Sequence, residues 1–155
     1  MALSVRRLGP GDESILHFLA ANDADFDLEG RGEPLRPLDA DTARRYLENP
    51  AVLHWIATEG DTVAGFLYCL HLPLRADDGH ELLLYEIGVH IGWRRHGVGR
   101  ALAAAMDAWM QANAVPEVWV LADNPVAVEF YRACGFAMED AQPVYMTRRR
   151  AENDG

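Results

Sequence analysis

The stretch Arg94-Arg95-His96-Gly97-Val98-Gly99-Arg100-Ala101-Leu102 decides how the rest of the chain is read. Its two glycines stand at the mouth of a helix-forming run, "RALAAAMDAWMQANA", over residues 100–114. A glycine inside a helix costs roughly 0.5–1 kcal/mol relative to alanine, so their presence needs a reason. Just before them lies "ELLLYEIGVHI" (81–91), nearly all apolar, which reads as a central strand covered on both faces. A strand running through a glycine turn into a helix exposes unpaired N–H groups and the positive end of the helix dipole. An anion fits there, and residues without a Cβ let it approach closely. Arg94 and Arg95 add charge suited to phosphate oxygens.

Three phosphate loops compete for the stretch. A dinucleotide fingerprint needs a third glycine and belongs to a first strand-helix unit, whereas this one lies past mid-chain and continues Arg100-Ala101-Leu102. A P-loop needs Gly-Lys-Ser/Thr, and the chain has no lysine, since all 14 basic residues are arginine. That absence also excludes Schiff-base chemistry. What remains is Arg-x-x-Gly-x-Gly after a strand, held by Ile87, Val89, Arg94, Gly97 and Gly99. A tight turn without ligand is the other reading of the same residues.

Outward from this point the pattern is a mixed α/β domain in the order β-α-α-β-β-β-α-β-α-β. "SVRRL" (4–8) reads as a strand, and Asp12 as a possible N-cap of the helix that follows. Residues 23–37 read as an acidic loop, and "DADTARRYLEN" as a short helix ending before Pro50. "VLHWIAT" and "VAGFLYCLHLP" form a hairpin across "EGDT". After the long helix come a strand "EVWVLA", a helix "NPVAVEFYRACGF" and a last strand "VYMTR". Val126, Phe130, Ala133 and Cys134 are expected to be the core stripe of that last helix. Residues 148–155 read as a solvated tail.

The 155 residues suit one domain. The formal charge of −10 argues against nucleic acid and is compatible with a cationic small molecule or with solubility alone. No apolar run suits a membrane span or a signal peptide, so a cytoplasmic protein is expected. The two cysteines, Cys69 and Cys134, read as small buried hydrophobes, and the six histidines lack metal-ligand spacing, so no metal is expected. Glu86 is the one carboxylate inside the central apolar strand. A carboxylate there reads either as a base that also orients an amine, or as half of a structural pair with histidine or arginine.

With "DNPVAVEFYRACGF" added, through Asn124, Ala127, Phe130, Tyr131, Gly135 and Phe136, the chain resembles the GNAT N-acetyltransferase superfamily over residues 4–147. The resemblance implies a mostly antiparallel central sheet flanked by helices and splayed between its fourth and fifth strands. It implies acetyl-CoA as cosubstrate, with its pyrophosphate on Arg94, Arg95, His96, Gly97, Val98, Gly99 and Arg100, so that the glycines make room for a diphosphate. Asn124 and Tyr131 are implied as further cofactor contacts. The pantetheine arm is expected along Ile87, Gly88 and Val89, with the Val89 N–H polarising the thioester carbonyl and Gly88 forming a bulge. Tyr131 is implied as the general acid for the departing thiolate, with packing as its other role, and Glu86 as the acceptor-side base or amine anchor. A homodimer fits the resemblance.

Within that superfamily the runs Tyr46-Leu47, Asn49-Pro50, Ile56-Ala57 and Leu72-Pro73 are most similar to the small aminoglycoside 3-N-acetyltransferases. Their "Y-D-L-A-V" stands here as Tyr85-Glu86-Ile87-Gly88-Val89, one methylene longer at the carboxylate. A small cationic amine acceptor is therefore expected. Asp25, Asp27, Glu29, Glu86, Asp123 and Glu139 are its candidate contacts. An aminoglycoside is the first reading, another amine the second, and a non-catalytic acyl-CoA-binding module the third.

Overall fold

The computed structural model describes residues 2–26, 35–76 and 79–151. One sheet carries strands β1 (Ser4–Arg7), β2 (Val52–Glu59), β3 (Thr62–Pro73), β4 (His80–Val89) and β5 (Val118–Val120), side by side in that order. β1 to β4 pair antiparallel, whereas β5 lies parallel to β4. Helices α1 (Glu13–Ala21), α2 (Asp23–Phe26) and α3 (Ala40–Glu48) pack on one face. The long α4 (Val98–Ala112) and α5 (Pro125–Ala133) pack on the other.

The main core lies under α4, where Leu102 and Met106 meet Leu53, Leu67, Leu82 and Leu84. Cys69 belongs to it, fully buried with its sulfur 3.7 Å from that of Met106, and burial pushes its thiol up to about 12. The opposite face is more aromatic: Phe26 and Phe66 pack with Leu19, and Ile56 with Leu8 and Leu47. The hairpin at Gly60-Asp61 forms as expected, with Glu59 paired to Thr62.

Five local expectations are corrected. The acidic segment begins as a helical turn, because Phe26 is buried against Phe18, Phe66 and His90 and draws Asp23–Phe26 onto the sheet. The last strand does not form, and Val144, Tyr145 and Met146 are exposed. β5, the edge strand of the sheet, spans only three residues and so offers a further strand few ladder hydrogen bonds. The stripe of α5 is shifted by one residue. Ala127, Phe130 and Tyr131 face the core, while Val126 is 75% exposed. Asp12 stands at the N-cap of α1 without capping it. Its carboxylate instead binds Arg6 at 2.9 and 3.0 Å and the Gly9 N–H at 2.9 Å, which holds its pKa below the usual range. Cys134 is half-buried rather than a core residue.

Candidate active site

Pairing between β4 and β5 ends at Leu84↔Val120, yet β4 continues to Val89. The sheet is therefore splayed between its fourth and fifth strands, as expected. On the other edge, the His90 N–H donates to the Ala64 carbonyl at 2.9 Å. Antiparallel backbone groups alternate in direction, so those of Glu86 and Gly88 also face β3, and those of Ile87 and Val89 face the open gap. This is a free strand edge onto which an extended arm can pair.

The bulge in β4 is at Tyr85, not at Gly88. Tyr68 opposes Glu86 while Cys69 opposes Leu84, which leaves Tyr85 as the extra residue. Strand side chains alternate between faces, and one extra residue reverses the alternation. Tyr85 and Glu86 thus both fall on the face of Tyr68. Without the bulge Glu86 would enter the apolar core under α4. Gly88 has a packing reason instead, since a Cβ there would lie 2.4 Å from Cε1 of Phe66. Gly88→Ala should cost about 1–3 kcal/mol of stability as an overpacked site. Pairing it with Phe66→Leu should recover part of the lost urea midpoint, and a midpoint unchanged by Gly88→Ala would refute the clash.

The glycine turn also separates into two functions. Gly97 caps α4 in the left-handed conformation (φ 78°), and a Cβ there would meet nothing within 4 Å, so this side is open. Gly99 is buried, and its Cβ would lie 2.7 Å from the Phe130 ring, so its steric role is to let α5 close on α4. Arg95 also has positive φ (65°), and the turn is tied by His96 Nδ1 to the Arg94 carbonyl at 2.8 Å. The start of α4 has no side-chain cap, unlike α3 and α5, which are capped by Asp39 and Asn124. Arg94 Nε is buried without a partner. An uncapped helix start, an open glycine and a guanidinium N–H in want of an acceptor fit an anionic diphosphate. Arg95 and Arg100 are exposed beside them. Val98 is buried and serves the core through its side chain.

Asn124 accepts from the Ala127 N–H at 2.8 Å, so its oxygen caps α5. Tyr131 is buried, with its ring between Phe130 and Phe136 at 5.4 Å from each.

Glu86 lines a cleft of about 220 Å³ on the α1 face. Leu16, Leu19, Ala20 and Asp23 line it from α1 and α2, and Leu35, Arg36 and Leu38 from the segment before α3. Tyr46, His54, Phe66 and Tyr68 complete the lining. Of the other expected acceptor contacts, Asp25, Asp123 and Glu139 are exposed and none lines this cleft. Asp27 and Glu29 lie outside the described residues.

Tyr46, His54 and Tyr68 were not read from the sequence as site residues. His54 is 6% exposed, stacked on Tyr68 and linked through Nδ1 to the Tyr46 hydroxyl at 2.9 Å. The two tyrosine hydroxyls lie within hydrogen-bonding reach of each other, and burial followed by Tyr68 pushes the Tyr46 phenol far up. Burial alone lowers His54 to about 4 from 6.5, so the imidazole is neutral at pH 7. A base depressed in the folded state adds stability above its unfolded pKa and loses it on acidification. About 3 kcal/mol should therefore disappear between pH 6.5 and 4. Urea midpoints across that range should fall much less for His54→Gln, and an equal fall would refute the assignment. The signal available in the sequence was the alternation His54-Ile56 and Phe66-Tyr68, which places polar rings on one face of two adjacent strands.

A sequence profile of the acetyltransferase (GNAT) family matches residues 19–136. The chain belongs to this family, whose members use acetyl-CoA. A mycothiol acetyltransferase of Thermobispora bispora is 32% identical over 143 residues, covering 90% of this chain and 42% of that protein. One of Nocardiopsis dassonvillei is 33% identical over 102 residues, covering 64% and 28%. The chain thus spans less than half the length of these curated relatives. A solved aminoglycoside acetyltransferase from an uncultured soil metagenomic sample, in complex with sisomicin, matches with TM-score 0.79 at 21% identity. The match covers 95% of this chain and 97% of that one, and it shows a shared fold. Among the described residues no helix is long and apolar enough to cross a membrane, and no group of three or more His, Cys, Asp or Glu could hold a metal ion.

Proposed function

We propose that the chain transfers the acetyl group of acetyl-CoA to a primary amine bound beside Glu86, by direct attack in a ternary complex. The observation that carries this reading is the conjunction on β4. The splayed edge Ile87–Val89 leads into the open, uncapped start of α4, and Glu86 on the same strand lines a cleft on the other face. Acetyl-CoA supplies an activated acyl group as its thioester. Arg94, Arg95 and the α4 N–H groups hold its diphosphate, and Ile87 and Val89 pair with its arm. The Val89 N–H polarises the acetyl carbonyl. Glu86 anchors the amine and draws off its proton, directly or through water, and Tyr131 protonates the leaving thiolate.

Aminoglycosides, acetylated at the 3-N position, are the acceptor that the Tyr46-Leu47 to Leu72-Pro73 runs suggest. The net charge of −10 and the sisomicin-bound neighbour support that choice. A second reading, a compact monoamine, is favoured by the small apolar cleft. No nucleic acid or membrane enters either reading, and monomer and homodimer serve both. The test is thiol release from acetyl-CoA by purified protein over a panel of aminoglycosides, polyamines and monoamines. Release matched mole for mole by acetylated amine is expected. Acetyl-CoA binding with no release on any amine would make the chain a binding module.

A further inference from the structure

Resting on the reading that an amine is acetylated beside Glu86, we infer that the acceptor is a compact monoamine with an apolar, ring-sized body. The cleft suits such a body better than a polycationic sugar. Three observations point there. At about 220 Å³ the cleft is below the roughly 300–1,000 Å³ of pockets that enclose drug-sized ligands, let alone a multi-ring aminoglycoside. Much of its wall is Leu16, Leu19, Leu35, Leu38 and Phe66, which offer hydroxyl groups no hydrogen bonds in exchange for those they lose to water, while Tyr46, His54 and Tyr68 form its floor. Among the described residues its charged groups are Asp23, Glu86 and Arg36, a formal total of −1 that balances a single ammonium.

A second or third ammonium in the same cleft would face a guanidinium and leucines, with no further carboxylate to pair it among the described lining residues. An aromatic or branched apolar body instead buries against the leucines and can stack on Phe66 or Tyr68. The Tyr46–His54 hydrogen bond and the stack of His54 on Tyr68 make the floor stiff, because His54 is buried between aromatic rings and tied at Nδ1. The described lining carries only a small part of the chain's net charge of −10, so that charge does not by itself describe the pocket.

Three probes separate these cases: 2-phenylethylamine, spermidine and sisomicin, each with acetyl-CoA and the full chain, read by thiol release. The expected result is a kcat/KM for 2-phenylethylamine at least about tenfold above either polycation. Equal or higher values for spermidine or sisomicin overturn the inference. Silence on all three overturns the transfer reading, and the pocket is then judged by calorimetric binding to the chain saturated with CoA. There, 2-phenylethylamine binding more tightly than spermidine upholds the inference; no binding or the reverse order overturns it. Leu38→Asp, at an exposed wall position, should lower the 2-phenylethylamine-to-spermidine ratio of kcat/KM about tenfold. An unchanged ratio also counts against the inference.

Discussion

Tyr131→Phe should lower the turnover of acetyl transfer by about 10²–10⁴, the range that a positioned general acid contributes, with acetyl-CoA affinity nearly intact. The substitution keeps the ring, and the ring is what the fold uses: it is buried between Phe130 and Phe136 in the cluster under α4. Only the hydroxyl is lost, and a thermal melt of the variant measures what that loss costs the fold. Single-turnover thiol release at saturating acetyl-CoA and amine isolates the chemical step from binding. If turnover is unchanged, the hydroxyl has no part in protonating the thiolate and Tyr131 is a packing residue. If acetyl-CoA affinity falls in step with turnover, the hydroxyl binds the cosubstrate instead.

Much of the architecture was legible because its signals are local. The apolar run before Gly97, the two-residue turn at Gly60-Asp61, the Asn124-Pro125 helix start and, apart from α2 and the missing last strand, the order of strands and helices all follow from spacing. What could not be read depends on partners distant in sequence. Nothing in "YEIGV" says that the extra residue is Tyr85, because a bulge is defined only against Tyr68 and Cys69 on the neighbouring strand. Gly99 looks like a second phosphate-loop glycine until Phe130, 31 positions on, is seen filling the space above it. α2 forms because Phe26 finds Phe66 and His90, a tertiary reason that outweighs the loop-like composition of "NDADFD". The same holds for the acceptor side. Acidic residues in loops were obvious candidates, yet among the described residues the cleft is made by leucines and polar rings from six elements and their flanks, with two carboxylates, Asp23 and Glu86.

Glu86→Gln should lower kcat/KM for the acceptor by about 10²–10³ while leaving acetyl-CoA binding unchanged. Glutamine keeps the length and shape of the side chain, so the bulge that turns residue 86 into the cleft is retained. Two things are lost. One is the negative charge that balances the acceptor ammonium, and truncating one member of a buried charged pair costs roughly 2–5 kcal/mol. The other is the only proton acceptor that β4 presents to the cleft. The two losses separate in the pH dependence. If Glu86 is only an anchor, the variant should recover at high pH, where more of the free amine is neutral and needs no counter-charge. If Glu86 also takes the proton, turnover at saturating amine stays low at every pH. Asp23 shares the cleft and offers the comparison: Asp23→Asn should weaken acceptor binding without that pH-independent loss of turnover. Equal effects of the two substitutions on KM alone would reduce Glu86 to one of two electrostatic anchors. The amine would then give its proton to solvent water.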